Sequence, residues 1–502
     1  MTSDQMNQLG NWNPQLLREC RGRLKPRSVV ATIALSLIGQ TLLVLAVWAV
    51  PSYRSEPQRW LNLFRSLTWT LPYILFIAGS YSIVGDLTQE ERRGTLGFIR
   101  LSPRPSHNIL LGKLLGAPIL PYLGIALAVP LHLLAAVVAG VPLGLVLSFY
   151  VLTLAGAVFL FSGAMLFALV GGAAASRGLQ RSPAAISFAT LTLIFFAPMY
   201  LQWNIFTTWS QFGDVLGEAK ELAEGLQWLY IPLAQDLFTA HSFTLINLGI
   251  GLIFIWKMLM RRFQNPKATI VSKQQSYALV AYLEVLVWGF LLHGNTNDFS
   301  EDQLGTVGMG AFQYILFLAL IFALSPQRQM LLDWVRYERH PGGILQDLIW
   351  AEKSPAPVAI AINLVIANAL LIPWVILTSS SQAVDAGILM LFVLAGTISL
   401  YAVLVQRILA AKIRNPIVWA GATVALLIVV PPLLLGMLRL PPDEAPFLWT
   451  FFGFPWTSFF DDPVRTGVLN GILLQWIVLA GLVLNLRQHL KKLAASASNP
   501  TV

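Results

Sequence analysis

GDLTQEERRGTLGFIRLSPRPSHNILLGKLLG, residues 85–116, is a polar and basic hinge between two apolar stretches. Thr88-Gln89-Glu90-Glu91 has the form of a capping box, in which the threonine hydroxyl takes the third backbone N–H and Glu91 reaches back. The pattern predicts a short helix beginning there, on the water side of a membrane, and ending near Leu101. Pro103 sets that end, because it disfavours helical geometry at Ser102. Gly94 and Gly97 each cost about 1 kcal/mol against alanine in a helix interior. Their presence implies that another backbone packs close to this segment.

Working outward, composition sets the class. The 502 residues are 56% hydrophobic and only 11% charged, where a soluble domain carries about 25% charged residues. About 20 apolar residues cross a hydrocarbon core. Twelve stretches qualify: 29–50, 66–84, 114–140, 143–172, 184–201, 242–260, 277–293, 306–325, 357–378, 386–406, 416–438 and 466–486. The first reads as a retained span and not as a removed signal peptide, since no small-residue cleavage site follows it. The expected fold is therefore an all-α integral membrane protein of about 12 transmembrane helices.

Charge orients it. With the N-terminus inside, 27 of the 33 Lys and Arg residues fall in cytosolic segments. Only Arg54, Arg59, Arg65, Lys220, Arg439 and Arg465 lie outside, as the positive-inside rule requires. The net charge of +9 thus reflects topology and contact with anionic lipid, not nucleic-acid binding. Both termini are expected in the cytosol and the chain in the plasma membrane. The single cysteine, Cys20, excludes a disulfide framework. Ahead of the first span, Leu16, Leu17, Cys20 and Leu24 share a 100° arc with Arg18 and Lys25 opposite, which predicts an amphipathic helix in the headgroup plane.

The halves echo each other. Ser102-Pro103-Arg104-Pro105 returns as Ser354-Pro355-Ala356-Pro357, and Glu90-x-x-x-Gly94-Thr95 as Glu338-Arg339-His340-Pro341-Gly342-Gly343. Two outer segments, 202–241 and 439–465, are both rich in Trp, Phe and Pro. Interfacial aromatic belts explain them, and short re-entrant helices would look the same. An even number of spans per half implies a parallel repeat. The organisation expected is an interfacial N-terminal segment 1–28, a six-span half 29–262, a linker 263–276, a second six-span half 277–486 and a cytosolic tail 487–502.

Asn13 to Leu24, NPQLLRECRGRL, resembles the interfacial helix that opens many ATP-binding-cassette exporter permeases whose ATPase is a separate chain. Glu90-Glu91-Arg92-Arg93-Gly94-Thr95-Leu96, followed by Ser102-Pro103 and Leu111-Gly112-Lys113-Leu114-Leu115, is similar to their first cytosolic coupling segment. Glu91 stands where that pattern has a base, and Gly97 where it has a second acid. The second half keeps Glu338, Arg339 and Gly342 but has Gly343 for the threonine. The resemblance implies ATPase coupling through these residues, with two copies of an ABC-type ATPase as partner. It also implies that this chain binds no cofactor, ATP being hydrolysed by the partner.

Other chemistry is sparse. No G-x-x-x-x-G-K-[ST] loop occurs to cradle phosphates. The six histidines form no metal-ligand spacing, so no metal site and no catalytic residues are expected and the chain is not itself an enzyme. Glu284 is the one acid well inside a span, where a charge is costly and often functional, and Gln313 is its candidate partner. His132 in the third span reads as hydrogen-bonded within the bundle. The function expected is an exporter permease moving an unspecified substrate. An ion-coupled secondary transporter, also commonly six plus six, is the alternative. A membrane-embedded transferase would need paired acids or histidines facing a cavity, which the sequence lacks.

Overall fold

The computed structural model describes residues 8, 10–50, 55–175, 183–209, 226–233, 236–291, 303–338, 343–378, 381–454 and 462–498. The chain is a multi-pass, all-α membrane protein. Among the described residues, ten helices are long and apolar enough to cross a bilayer, or eleven if Gly308–Leu324 and Arg328–Tyr337, bent by 58°, count as one broken span. The expectation of about 12 therefore stands only as a coarser result. Stretch 306–325 is one arm of the bent pair, and 277–293 begins inside a helix that carries Glu284 and is not among the ten. The other ten stretches coincide with candidate spans.

The described residues form two compact units, 1–227 with 231–266, and 228–230 with 267–502. In the first, α1 (Pro14–Arg23) precedes α2 (Pro26–Trp48), α3 (Glu56–Arg92), α4 (Thr95–Arg100), α5 (Ser106–Gly116), α6 (Ile119–Val138) and α7 (Leu143–Ala175). Then come α8 (Pro183–Leu191), a π turn (Thr192–Phe196), α9 (Ala197–Trp209) and α10 (Leu237–Gln264). Helix α3 is the spine: α6, α7 and α8 pack along it. Phe76, Ile83, Leu110, Phe161 and Met165 are buried in the core it organises.

The capping-box expectation is corrected here. Helix α3 runs unbroken through Thr88 to Arg92, so Thr88 is interior and its hydroxyl donates back to the Val84 carbonyl at 2.6 Å. Ile83, Val84 and Leu87 are buried, and that tertiary burial carries the helix through a polar run whose local signal reads as a start. The break falls at Gly94, whose φ of +71° is open to glycine at little cost. Helix α4 then ends with Leu101 as C-cap, where Pro103 places it. Apart from its chain neighbours and its own helix backbone, nothing among the described residues lies within 4 Å of a Cβ built on Gly94 or Gly97. Gly94 serves a chain reversal, then, and not a close backbone approach.

The second unit contains α11 (Lys273–Leu291), α12 (Gln303–Leu324), α13 (Arg328–Asp333), a π turn (Trp334–Glu338) and α14 (Ile344–Trp350). It continues with α15 (Pro357–Thr378), α16 (Ser381–Leu409), α17 (Pro416–Met437), α18 (Pro446–Phe451) and α19 (Asp462–Ser498). Helix α16 packs against α15, α17 and α19, and α11 against α15. The outer segment 439–465 does hold a short helix, α18, which packs on α19. Trp449 Nε1 donates to the Leu440 carbonyl at 2.9 Å there. Both units set a short helix just ahead of the Ser-Pro dipeptide, α4 before Ser102 and α14 before Ser354.

Candidate functional site: a charge-locked hinge

Helix α1 begins at Asn13, whose side-chain oxygen accepts from Leu16 N at 3.0 Å while its amide donates to the Asn108 carbonyl at 2.7 Å. One residue thus caps a helix and ties it to α5. Two glycines on α5 let the helices touch. A Cβ on Gly112 would lie 2.7–2.9 Å from Asn13, Gln15 and Leu16, and one on Gly116 would lie 2.5 Å from Glu19 Cβ. The amphipathic face of α1 is consequently spent on protein: Leu16, Glu19 and Cys20 are buried, and Leu24 is exposed.

What that docking encloses is an ion cluster. Lys113, 1% exposed, donates to Glu19 Oε1 at 2.9 Å and to Asp86 Oδ2 at 2.6 Å. Its ammonium also lies 2.8 Å from Glu90 Oε2, a charge contact too bent for a hydrogen bond. Arg23 donates to Asp86 at 2.6 Å and to Glu19 at 3.3 Å, and Arg18 pairs with Glu90. Three carboxylates meet three cations, so the cluster is neutral as a whole. Glu19, Asp86 and Glu90 converge as metal ligands would, but the Lys113 ammonium sits among them as the resident cation.

Burial by itself would push the Lys113 ammonium down, yet Asp86, Glu19 and Glu90 outweigh it and hold it above the ordinary lysine value. Burial likewise opposes ionisation of Glu19, and Lys113, Arg23 and Arg18 overcome it to hold that carboxyl below its usual range. Each partner keeps the other charged. Glu91 belongs to a second set: burial raises its pKa while Arg100 and Arg262 pull it down less strongly. The Arg100 guanidinium also lies 5.6 Å over the Phe263 ring.

The candidate coupling residues are thereby sorted. Glu90 and Glu91 turn into the protein, Leu96 is buried, and Arg92 is half-buried, while Arg93, Gly94 and Thr95 are exposed. The Thr95 hydroxyl donates to the Glu90 carbonyl at 3.2 Å. Two large apolar side chains face outward beside them: Phe98 is 78% exposed and Leu101 85%. In the second half, Glu338 closes the π turn Trp334–Glu338, and Arg339 and Gly342 lie outside the described residues. Glu284 is fully buried, and Gln313 Nε2 reaches both its oxygens at 2.8 Å, the partner expected. His132 is buried between Thr68 (3.0 Å) and the Tyr150 hydroxyl (2.6 Å), a packed polar group as the sequence suggested.

Glu19, Asp86 and Lys113 escaped the sequence reading as a site. A signal existed. Lys113 is the one charge within Ile109–Gly116, with glycine one residue before and three after, and Glu19 is an acid bordering the apolar arc of a basic helix.

Comparison with known proteins adds no relative: no family model matches the chain, and neither a curated protein nor a solved structure does so.

Proposed function

We propose that the chain is the permease subunit of an ATP-driven exporter in the plasma membrane. Both its termini are cytosolic, and two copies of a separate ABC-type ATPase dock on segments 88–101 and 330–350. The observation that carries this reading is α4. It is a six-residue helix held between α3 and α5, with Phe98 and Leu101 presented outward while the preceding Glu90 is engaged by Arg18 and Lys113. Exposed aromatic and aliphatic side chains on a rigid mount are what a partner's groove takes hold of. Because Glu90, Lys113 and Glu19 join α3, α5 and α1 through one cluster, a push on α4 reaches the membrane helices as a displacement of a whole body. The motif resemblance over residues 13–24 and 90–96 supports the same reading.

The test is co-purification, which should recover a soluble ATPase with the chain, followed by substrate-stimulated hydrolysis in the reconstituted complex. Phe98→Asp/Leu101→Asp should insert and melt as the parent does, yet lose association by tenfold or more. Parent-like stimulation in that variant would reduce α4 to a solvated turn. Topology is checked separately: cysteines at 295–303 should label from outside and Gly94→Cys should not.

Ion-coupled secondary transport remains the second reading, favoured by the enclosed Glu284–Gln313 pair. Transport by the purified chain alone down a proton or sodium gradient, lost in Glu284→Gln, would establish it instead.

A further inference from the structure

Helix α2 is an edge helix that carries a polar stripe. Its outer side exposes Leu37, Ile38, Leu42 and Leu45. Thr32, Ser36 and Gln40 recur at four-residue spacing and so share another face. That face lines a cavity of about 330 Å³ bounded by α3 and α6. Leu67, Leu71 and Ile74 of α3 and Pro121 and Ile125 of α6 make much of its wall apolar, and no charged side chain among the described residues borders it. Gly39 also lines it. Apart from chain neighbours and its own helix backbone, nothing among the described residues lies within 4 Å of a Cβ built there.

The hydrogen bonds at the wall select the ligand. Thr32 donates to the Ser28 carbonyl at 2.9 Å, Ser36 to the Gly124 carbonyl at 2.9 Å, and Thr70 to the Ser66 carbonyl at 2.7 Å. The Gln40 amide nitrogen donates to Ser36 Oγ at 3.0 Å and reaches the Leu127 carbonyl at 3.5 Å. Turning that amide over would set its oxygen against the carbonyl and against a hydroxyl whose proton is already spent. Every side-chain proton at the wall is therefore used, while Gln40 Oε1 accepts from no described residue. Helix α2 has 23 residues and Gln40 stands just past its middle, at a depth where lipid tails offer no donor. We propose that the cavity binds an uncharged lipid alcohol, its hydroxyl donating to Gln40 Oε1 and its chain lying against the apolar wall of α3 and α6. A phospholipid fails on two counts: its charged head stays at the interface, and its acyl chains bring no donor. The volume equals that of about eleven waters at roughly 30 Å³ each, enough for the hydroxyl end and part of the chain. The inference needs only the membrane placement of α2, α3 and α6 and does not rest on the permease reading.

The full chain in phosphatidylcholine nanodiscs is photolabelled with a diazirine-bearing decanol, and the labelled residues are mapped by mass spectrometry. Labelling should fall on α2, α3 and α6 around the cavity. Unlabelled decanol should compete about tenfold better than decyl methyl ether, which has the same chain and no donor. Gln40→Leu should bring that ratio close to one, and Gly39→Leu, which fills the open space, should cut labelling about tenfold. Should Gln40→Leu fail to insert, the alcohol-to-ether ratio in the parent decides alone. Equal competition by the ether, or a parental ratio in Gln40→Leu, overturns the site. Labelling that Gly39→Leu leaves unchanged would put the probe in the surrounding bilayer and overturn it as well. Competition by decyl sulfate as strong as by decanol would end the assignment to an uncharged alcohol.

Discussion

Among the described residues each unit buries one lysine, and the two are held in opposite ways. Lys113 sits among three carboxylates and is kept charged. Lys273, also 1% exposed, reaches the Leu348 carbonyl at 2.5 Å, the Ser354 hydroxyl at 2.6 Å and the Pro355 carbonyl at 3.3 Å. Burial pulls its pKa down to about 7, with Asp347 opposing. Both lysines join the segment ahead of a unit's first apolar helix to the segment ahead of its third. In the first unit the lysine comes from the later segment and the acids from both. In the second it comes from the earlier segment and meets mostly backbone. One joint is ionic and closed, and the other is dipolar and able to lose its proton near neutrality. A shared connection between segments thus leaves the chemistry of the joint free to differ.

The largest expected break is Lys113→Met. It leaves Glu19, Asp86 and Glu90 crowded without their central cation, a loss of about 3–5 kcal/mol for a buried network deprived of one partner. Thermal unfolding should shift down, and trypsin should cut at Arg18 or Arg23 sooner. Unchanged cleavage would mean that α1 is held by apolar packing alone.

The pH response should separate the two lysines next. A lysine whose folded pKa is depressed binds fewer protons folded than unfolded between about pH 7 and its ordinary value near 10.4. Lys273 therefore costs stability at and below pH 7, and the cost is relieved as pH rises. Between pH 7 and 9 the parent should gain on Lys273→Met by about 2 kcal/mol, read from paired melting curves. Lys113 should show the reverse sign and only in stronger alkali: its contribution is complete below the unfolded value and is lost as pH passes its raised folded pKa. A flat difference between parent and Lys273→Met over pH 7–9 would erase the contrast.

Gly116→Leu sharpens the steric side of the first joint. The new side chain meets Glu19 Cβ at 2.5 Å from its own Cβ, and overpacking of that kind costs about 1–3 kcal/mol. Faster proteolysis of α1 should accompany it. Gly94→Ala should do least. The space is open and only the positive φ is strained, so about 1 kcal/mol is expected in melting, with α1 protected as before. Exposure of α1 in Gly94→Ala would show that the turn at Gly94, and not the ion cluster, holds α1 in place.

Much of this was legible in residues. Apolar length placed ten of twelve spans, because a hydrocarbon core admits few alternatives to a long apolar helix. The arc of Leu16, Leu17, Cys20 and Leu24 announced α1, Pro103 announced the end of α4, and Glu284 named its partner through the scarcity of polar groups nearby in the bilayer. The Thr88 reading failed for an identifiable reason. A capping box is a local pattern, and burial of Ile83, Val84 and Leu87 against neighbouring helices overrode it. The pairing of Glu90 was not legible either. An acid at a helix end looks available to a partner until one knows that Lys113, 23 residues beyond Glu90 in the chain, folds back against it.

Composition, span length and charge bias by themselves determined that this is a helical membrane protein with a basic hinge between its second and third apolar stretches. These are properties of transfer from water to hydrocarbon, which each segment meets on its own. Only the tertiary structure decided that Glu19, Asp86 and Glu90 form one neutral cluster with Lys113, Arg18 and Arg23, and that Phe98 and Leu101 face outward beside it. Charge pairing in a buried place depends on distances between residues up to 94 positions apart, and no local pattern records them.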